Sequence, residues 1–309
     1  MSEPVAGWPQ KTRELHNHHF DSTVWNDFAF RDDDIVIATY AKSGTTWLQQ
    51  IVGQLVFNGA TDIPVAELSP WVDLRVPPKA VKLAALEAQA HRRFVKTHLP
   101  VDALVYSPRA KYLYIGRDGR DVMWSLHNHH SKANALWYER INDTPGRVGP
   151  PIGKPPADRQ QYFEDWLEGD GYPFWPFWAS VRSWWAIRKL PNLLLLHFQE
   201  LKDDLPGQIR RIAAFLDIEI DERQFPAIVE HCGFAWMKEH VAQVAPLGGV
   251  VWEGGGESFI HRGINGRWHD ELGSELSERY EAMARLELGD ECARWLATGR
   301  RVNSQPSRS

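Results

Sequence analysis

Ile35 to Ala38 form a short continuous apolar run, as expected of a parallel strand buried on both faces. A turn rich in Lys, Ser, Gly and Thr follows at once. Beyond it Leu48, Ile51, Val52, Leu55 and Val56 recur at helical spacing, predicting a helix to about Asn58. Three more strands are expected, at 93–100 (ended by Pro100), 111–115 and 193–198. Helical patterns alternate with them: a short one near 80–90, one entered through Gly116-Arg117-Asp118-Gly119, and one around 177–189. An amphipathic stretch carries Leu205, Ile209, Ile212, Ala213 and Leu216, and further helices are expected within 221–232 and 276–296. Residues 140–172, rich in Pro, Gly and charge, read as a long covering loop, and the glycine-rich 246–256 as a flexible flap.

Strands alternating with helices predict an α/β fold with a doubly wound parallel sheet in a single domain. Residues 1–27 read as a polar N-terminal wrapping segment, 28–300 as the domain and 301–309 as a disordered tail. Ligands of such sheets bind beyond the carboxyl ends of the strands. The loops after Ala38, Lys96, Ile115 and Phe198 should therefore meet at one cleft.

Composition narrows the chemistry. The chain has 309 residues and a net charge of −5, which argues against a protein built to coat nucleic acid. Any phosphate site must use locally placed cations. Two cysteines, Cys232 and Cys292, make neither a disulfide framework nor a metal-type pair. No apolar run approaches a membrane span and no leader pattern follows Met1, so a soluble cytoplasmic protein is the expectation. Fifteen Trp, and the cluster Phe174-Trp175-Pro176-Phe177-Trp178, suit an apolar small-molecule pocket as well as a core.

The strand ends carry the candidate chemistry. The first supplies Lys42, Ser43, Gly44, Thr45 and Thr46 at a helix N-terminus, a ready anion site. It is no Walker A loop, because Lys42 precedes the glycine. The second supplies Lys96 and His98, an imidazole able to take a proton from an alcohol. The third supplies Arg117 and, one turn into its helix, Ser125. Cations and hydroxyls at three strand ends suit a polyanionic ligand. His127, His129 and His130 are not spaced to put three ligands on one helical face, and we read them as surface or pocket-rim residues; His16, His18 and His19 are read the same way.

These stretches resemble the cytosolic-type sulfotransferases that use 3′-phosphoadenosine-5′-phosphosulfate (PAPS). The likeness rests on Phe28–Trp47 with its Lys42-Ser43-Gly44-Thr45-Thr46-Trp47, on Lys96-Thr97-His98-Leu99-Pro100 and on Tyr114–Ser125. Phe177–Trp185, Leu193–Phe198 and Phe259–Gly263 with Gly266 and Trp268 complete it, in family order from about residue 28 to 285. The resemblance implies a P-loop nucleotide-kinase-like sulfotransferase fold, PAPS as donor (PAP as product) and no required metal. It implies that residues 42–46 cradle the 5′-phosphosulfate, with Lys42 on the leaving phosphate. Arg117, Ser125, His261, Arg262 and Gly263 fall at the 3′-phosphate, and Trp47, Phe198 and Phe234 at the adenine. By the same resemblance His98 is the general base and Lys96 stabilises the transferring group. The acceptor is expected to be a small, largely apolar molecule with a hydroxyl: a phenol, a steroid-like or an aliphatic alcohol. Phe20, Trp71, Trp137, Tyr138, Phe177 and Trp178 are its candidate lining.

Three departures from the family pattern stand out. Ala41 replaces a usual proline. His261 replaces a usual arginine, so donor affinity should fall as pH rises from about 6 to 8 if its charge is used. His269, Gly273 and Ser274 leave only Glu278 of the family's dimerisation motif, which makes a homodimer by that route doubtful. The competing assignments are a small-molecule kinase and a non-catalytic nucleotide-binding protein. The missing Walker glycine and the lack of an evident Mg²⁺-holding aspartate count against the first, and the Lys42, Lys96 and His98 set against the second.

Overall fold

The computed structural model describes residues 8–260 and 263–300. Among them four strands form one parallel sheet: β1 (Ile35–Thr39), β2 (Phe94–Thr97), β3 (Lys111–Gly116) and β4 (Leu193–His197), in the order β2-β1-β3-β4. From β1 the chain steps outward to β2, then crosses back to β3 on the other side. That reversal opens a crevice at the carboxyl ends of β1 and β3.

Both faces of the sheet are buried, and alternation along each strand divides two apolar layers. Ile35, Ile37, Leu113, Ile115 and Leu196 pack against helices 45–56, 205–216 and 225–231. Val36, Ala38, Tyr112, Tyr114 and Leu195 pack, on the other face, against helices 119–131, 177–186 and 274–298. The 45–56 helix buries Gln49, Gln50 and Gln54, whose amides donate to the carbonyls of Ser69, His231 and Ala60. A buried amide so paired fixes neighbouring segments rather than weakening the core. Arg93 and Asp34, each 2% exposed along the side chain, pair at 2.6 Å beneath the entrance to β1.

The element pattern departs from expectation at identifiable places. The strand read as 193–198 stops at His197, because a capping box turns the chain: His197 Nδ1 accepts from Gln199 N–H at 3.1 Å and Glu200 Oε2 accepts from His197 N–H at 3.0 Å. Phe198 therefore opens a helix, Phe198–Asp203. The loop expected over 140–172 contains the end of helix Ala135–Asp143 and a whole helix, Arg159–Glu168. Asp158 caps the latter, and Tyr162, Phe163, Trp166 and Leu167 form its buried stripe. The 246–256 segment is tied down instead of forming an unanchored flap: Asn134 N–H donates to Val251 O and Glu253 N–H to Lys132 O, with Val251 and Trp252 buried.

Residues 8–27 lie across the 71–75 and 102 regions. Thr12 N–H bonds Asp102 O, Asp21 N–H bonds Asp73 O, and Arg75 N–H bonds His19 O. The expected tail, 301–309, lies outside the described residues. No described helix is long and apolar enough to cross a membrane.

Candidate active site

A cavity of about 1020 Å³ opens at the carboxyl ends of β1, β2 and β3. Lys42, Lys96, His98, Arg117 and Ser125 all line it, together with Gly44, Thr45, Thr46, Trp47, Phe198, Phe234 and Gly263. The sequence-predicted cations and the imidazole thus share one space. His261 and Arg262 lie outside the described residues.

The turn after β1 is shaped by two left-handed residues, Lys42 at φ +67° and Gly44 at φ +109°. Gly44 has a second constraint: a Cβ there would come within 2.9 Å of the Phe198 ring. Ser43 does not line the cavity; its N–H is turned to Tyr40 O at 3.3 Å. The N–H groups at the start of helix 45–56 have no intrahelical acceptor and face the same end. The Thr45 hydroxyl is engaged with Thr39 Oγ1 at 2.7 Å, and Thr46 lines the cavity.

That Thr39–Thr45 contact continues to His98. Thr39 Oγ1 is 3.0 Å and Thr39 O 2.8 Å from His98 Nδ1. A carbonyl only accepts, so Nδ1 carries the proton and Nε2 keeps its lone pair. Burial, then Lys96 and Lys42, push the imidazole pKa down to about 3, and the ring is neutral at physiological pH. Asp73 fixes this arrangement from behind. Its carboxylate accepts from the indoles of Trp25 and Trp71 at 3.1 and 2.6 Å and from His98 N–H at 3.3 Å.

The cations are held in an enclosed wall. Burial, Arg117 and Lys96 push Lys42 down to about 7, and burial pushes Lys96 down to about 8 against the pull of Asp73. Lys42 Nζ sits 3.3 Å from His129 Nδ1 and 4.8 Å above the Phe259 ring. Arg117 ties the turn to the far wall, donating to Lys42 O at 3.1 Å, Asn265 Oδ1 at 3.0 Å and Ile264 O at 3.3 Å, with its guanidinium 4.3 Å over Phe198. Beyond it Trp47 meets Phe198 edge-on at 5.3 Å, and a Cβ on Gly263 would strike the ring of Phe234, which is 42% exposed. All three aromatics line the cavity.

The other half of the cavity is aromatic. Trp71 and Trp137 line it as expected, but Phe20, Tyr138, Phe177 and Trp178 do not. Phe20 is fully buried behind Trp71 and Trp175; Phe177 and Trp178 pack in the core, against Trp166 and Tyr280; Tyr138 donates to His130 O. Phe174 and Trp175 occupy the wall instead, because Pro176 starts a helix that rotates 177 and 178 inward. Of the histidines read as surface or pocket-rim residues, His16 is exposed and the others divide between the core and the cavity wall. His18, His19, His127 and His130 are buried, and His19, His129 and His130 line the cavity. Among the residues the sequence reading passed over, Asp73 and His19 do most to shape the site. Neither sits in a recognisable spacing.

Against known proteins, the chain matches the sulfotransferase domain family over residues 32–292. It is 30% identical over 304 residues to a Mycobacterium tuberculosis glycolipid sulfotransferase, covering 91% of this chain and 93% of that one. It is 31% identical over 305 residues to mouse sulfotransferase 1B1, covering 93% and 95%. Among solved structures it resembles a mouse sulfotransferase complexed with PAP (TM-score 0.66, 21% identity, 89% and 91% covered). It also resembles retinol dehydratase in complex with retinol and PAP (TM-score 0.64, 25% identity, 87% and 84% covered). The chain belongs to the sulfotransferase family.

Proposed function

We propose that this sulfotransferase moves the sulfuryl group of PAPS to a hydroxyl of a small, largely apolar acceptor. The observation that carries the reading is the meeting of Lys42, Lys96, Arg117 and His98 in one cavity whose remaining wall is aromatic. The donor fits the residues present. Lys42 and Lys96 line one enclosed wall, where the charge of a bound polyanion would offset the burial that lowers their pKa values. Trp47, Phe198 and Phe234 line the same cavity and offer aromatic surface to a purine. The retinol dehydratase relative, bound to PAP, supports the same donor.

PAPS supplies an activated sulfuryl group with a phosphate as its leaving group. Around it the chain's own residues position and neutralise. The 42–46 turn and its helix N-terminus hold the 5′ end, with Lys42 set to balance charge on the departing phosphate. Arg117, Ser125 and Gly263, with His261 and Arg262 from outside the described residues, are assigned to the 3′-phosphate. His98 Nε2 takes the acceptor's proton, and the Nδ1–H bond to Thr39 O holds the ring in the tautomer that can do so. Lys96 lies next to it to offset negative charge on the group in transit. Trp71, Trp137, Phe174 and Trp175 exclude water around the acceptor hydroxyl.

The test is transfer of label from [³⁵S]PAPS to a panel of phenols, steroid-like and aliphatic alcohols in the presence of EDTA. Labelled sulfate ester and PAP in equal amounts support the reading. Mg²⁺-dependent ATP turnover with no ester formed would replace it with the kinase assignment.

A further inference from the structure

The acceptor half of the cavity holds a second imidazole whose protonation is fixed by its neighbours. His18 Nε2 lies 2.5 Å from Pro173 O, a carbonyl that can only accept, so Nε2 carries the His18 proton. His18 Nδ1 is then an acceptor, and its close partner is His19 Nδ1. The proton between them belongs to His19. His19 Nε2 is therefore left with a lone pair and, among the described residues, no hydrogen-bond partner. It is not sealed in the core, since His19 lines the cavity.

The ring is also held rigidly. His19 N–H donates to Asn17 Oδ1 at 2.8 Å, and His19 O accepts from Arg75 N–H at 2.7 Å. Trp71 stacks on it at 5.8 Å, and Trp137, Phe174 and Trp175 enclose it at 5.6 to 6.1 Å. His98 uses the same two indoles, touching Trp71 at 4.5 Å and Trp175 at 5.9 Å. The two imidazoles thus look into the aromatic half from either side of shared indoles. Burial first, and then His18, His130, His98 and Arg75, hold the His19 pKa well below its ordinary value. The ring stays neutral and its acceptor lone pair persists.

We propose that His19 is a specificity residue, accepting a hydrogen bond from a second donor group of the acceptor molecule, so that the preferred acceptors carry two hydroxyls (or a hydroxyl and an N–H) on one compact apolar skeleton. This rests on reading the cavity as the acceptor site. One hydroxyl goes to His98 Nε2 and is sulfated; the other is bound by His19 Nε2 and stays free. A monohydric acceptor leaves the His19 lone pair buried without a partner, a cost of the order that separates acceptors about tenfold.

The experiment measures dissociation constants of 2-naphthol and of the dihydroxynaphthalene isomers by quenching of tryptophan fluorescence, with PAP present at saturation. At least one isomer is expected to bind about tenfold more tightly than 2-naphthol. In His19→Phe that ratio should collapse to within about twofold of one, while PAP affinity stays unchanged. His19→Gln, which keeps an acceptor oxygen, should retain part of the preference. Equal binding of 2-naphthol and every isomer by the native protein, binding of none included, overturns the inference, as does a ratio that survives in His19→Phe. If His19→Phe does not fold, the native and His19→Gln ratios decide. Turnover of 2-naphthol with PAPS tests the sulfotransfer reading separately, so one can fail without the other.

Discussion

On the side of the cavity built by the 40–46 turn, the enclosed cations include Lys42, Lys96 and Arg117. On the side built by Trp71, Trp137, Phe174 and Trp175, the enclosed groups include the imidazoles His19 and His130, with His98 between the two sides and His129 against Lys42. Both sets have lowered pKa values, and burial is the leading cause in each. The consequence differs. A lysine lowered to about 7 or 8 is readily protonated when an anion is near, so the first half suits a negatively charged ligand. An imidazole lowered to about 3 does not, so the second half presents neutral acceptors to a neutral molecule. One cavity therefore offers charge at one end and directional lone pairs at the other.

The largest expected effect falls on the residue between the halves. His98→Ala should lower kcat by about 10²- to 10⁴-fold with PAP affinity nearly unchanged, because the base acts in the transition state. Retained turnover in that variant removes His98 from the mechanism. Lys42→Met should cut kcat/KM by about 10²- to 10³-fold. The same change should raise the melting temperature of the ligand-free protein, since it removes a cation held without its counter-ion. A fall in both quantities would mean that Lys42 is structural.

A pH series on ligand-free stability separates the halves. The buried imidazoles have folded pKa values below the unfolded 6.5, so the unfolded chain binds more protons and stability is lost as pH falls from about 6.5 toward 3. Each such group contributes at most about 1.4 kcal/mol per pH unit. Lys42 and Lys96, depressed from 10.5 to about 7 and 8, also make stability rise with pH, but between about 7 and 10.5. Saturating PAP should reduce the alkaline rise to the part contributed by Lys82, which burial lowers to about 8 and which the donor does not touch, and leave the acid loss in place. An alkaline rise untouched by PAP would break the assignment of the lysines to the donor.

The smallest effect is on PAP affinity itself, which should be flat below about pH 7 and weaken above it by at most tenfold per unit for each lysine. Lys42→Arg, charged throughout, should flatten part of that slope, and calorimetry in buffers of different ionisation enthalpy would count the protons taken up. A slope that survives Lys42→Arg but vanishes in His261→Asn would assign the titration to His261.

The cation-lined half was legible in the sequence because its chemistry sits in contiguous words. Lys42 to Trp47 and Lys96 to His98 each leave a strand within a few residues, and parallel strands end on the same side. The acceptor half was not, because its wall is assembled by packing. Nothing local to Phe174-Trp175-Pro176-Phe177-Trp178 says that the first two aromatics face the cavity and the last two the core; the helix begun at Pro176 decides it. His19 reads as one polar residue among several until residues 8–27 are laid against Arg75. Two helical features were readable and missed: Asp158 as a cap, and the His197 and Glu200 pair that ends β4 one residue early.

The helix spanning 274–298 reaches back to the strand end that delivers Arg117. Trp295 lies so close to Gly116 that a Cβ there would overlap its ring at 2.4 Å, and Tyr280 Oη accepts from Gly119 N–H at 2.8 Å. His197 Nε2 contacts Leu296 O at 2.9 Å. A nascent chain translated as far as β4 already has the Lys42 turn, Lys96, His98 and Arg117, with Phe177 beside Gly119, but lacks Tyr280, Trp295 and the Ile264 and Asn265 acceptors of Arg117. During synthesis the packing around the strand end that carries Arg117 is therefore completed only with the arrival of residues 280–296.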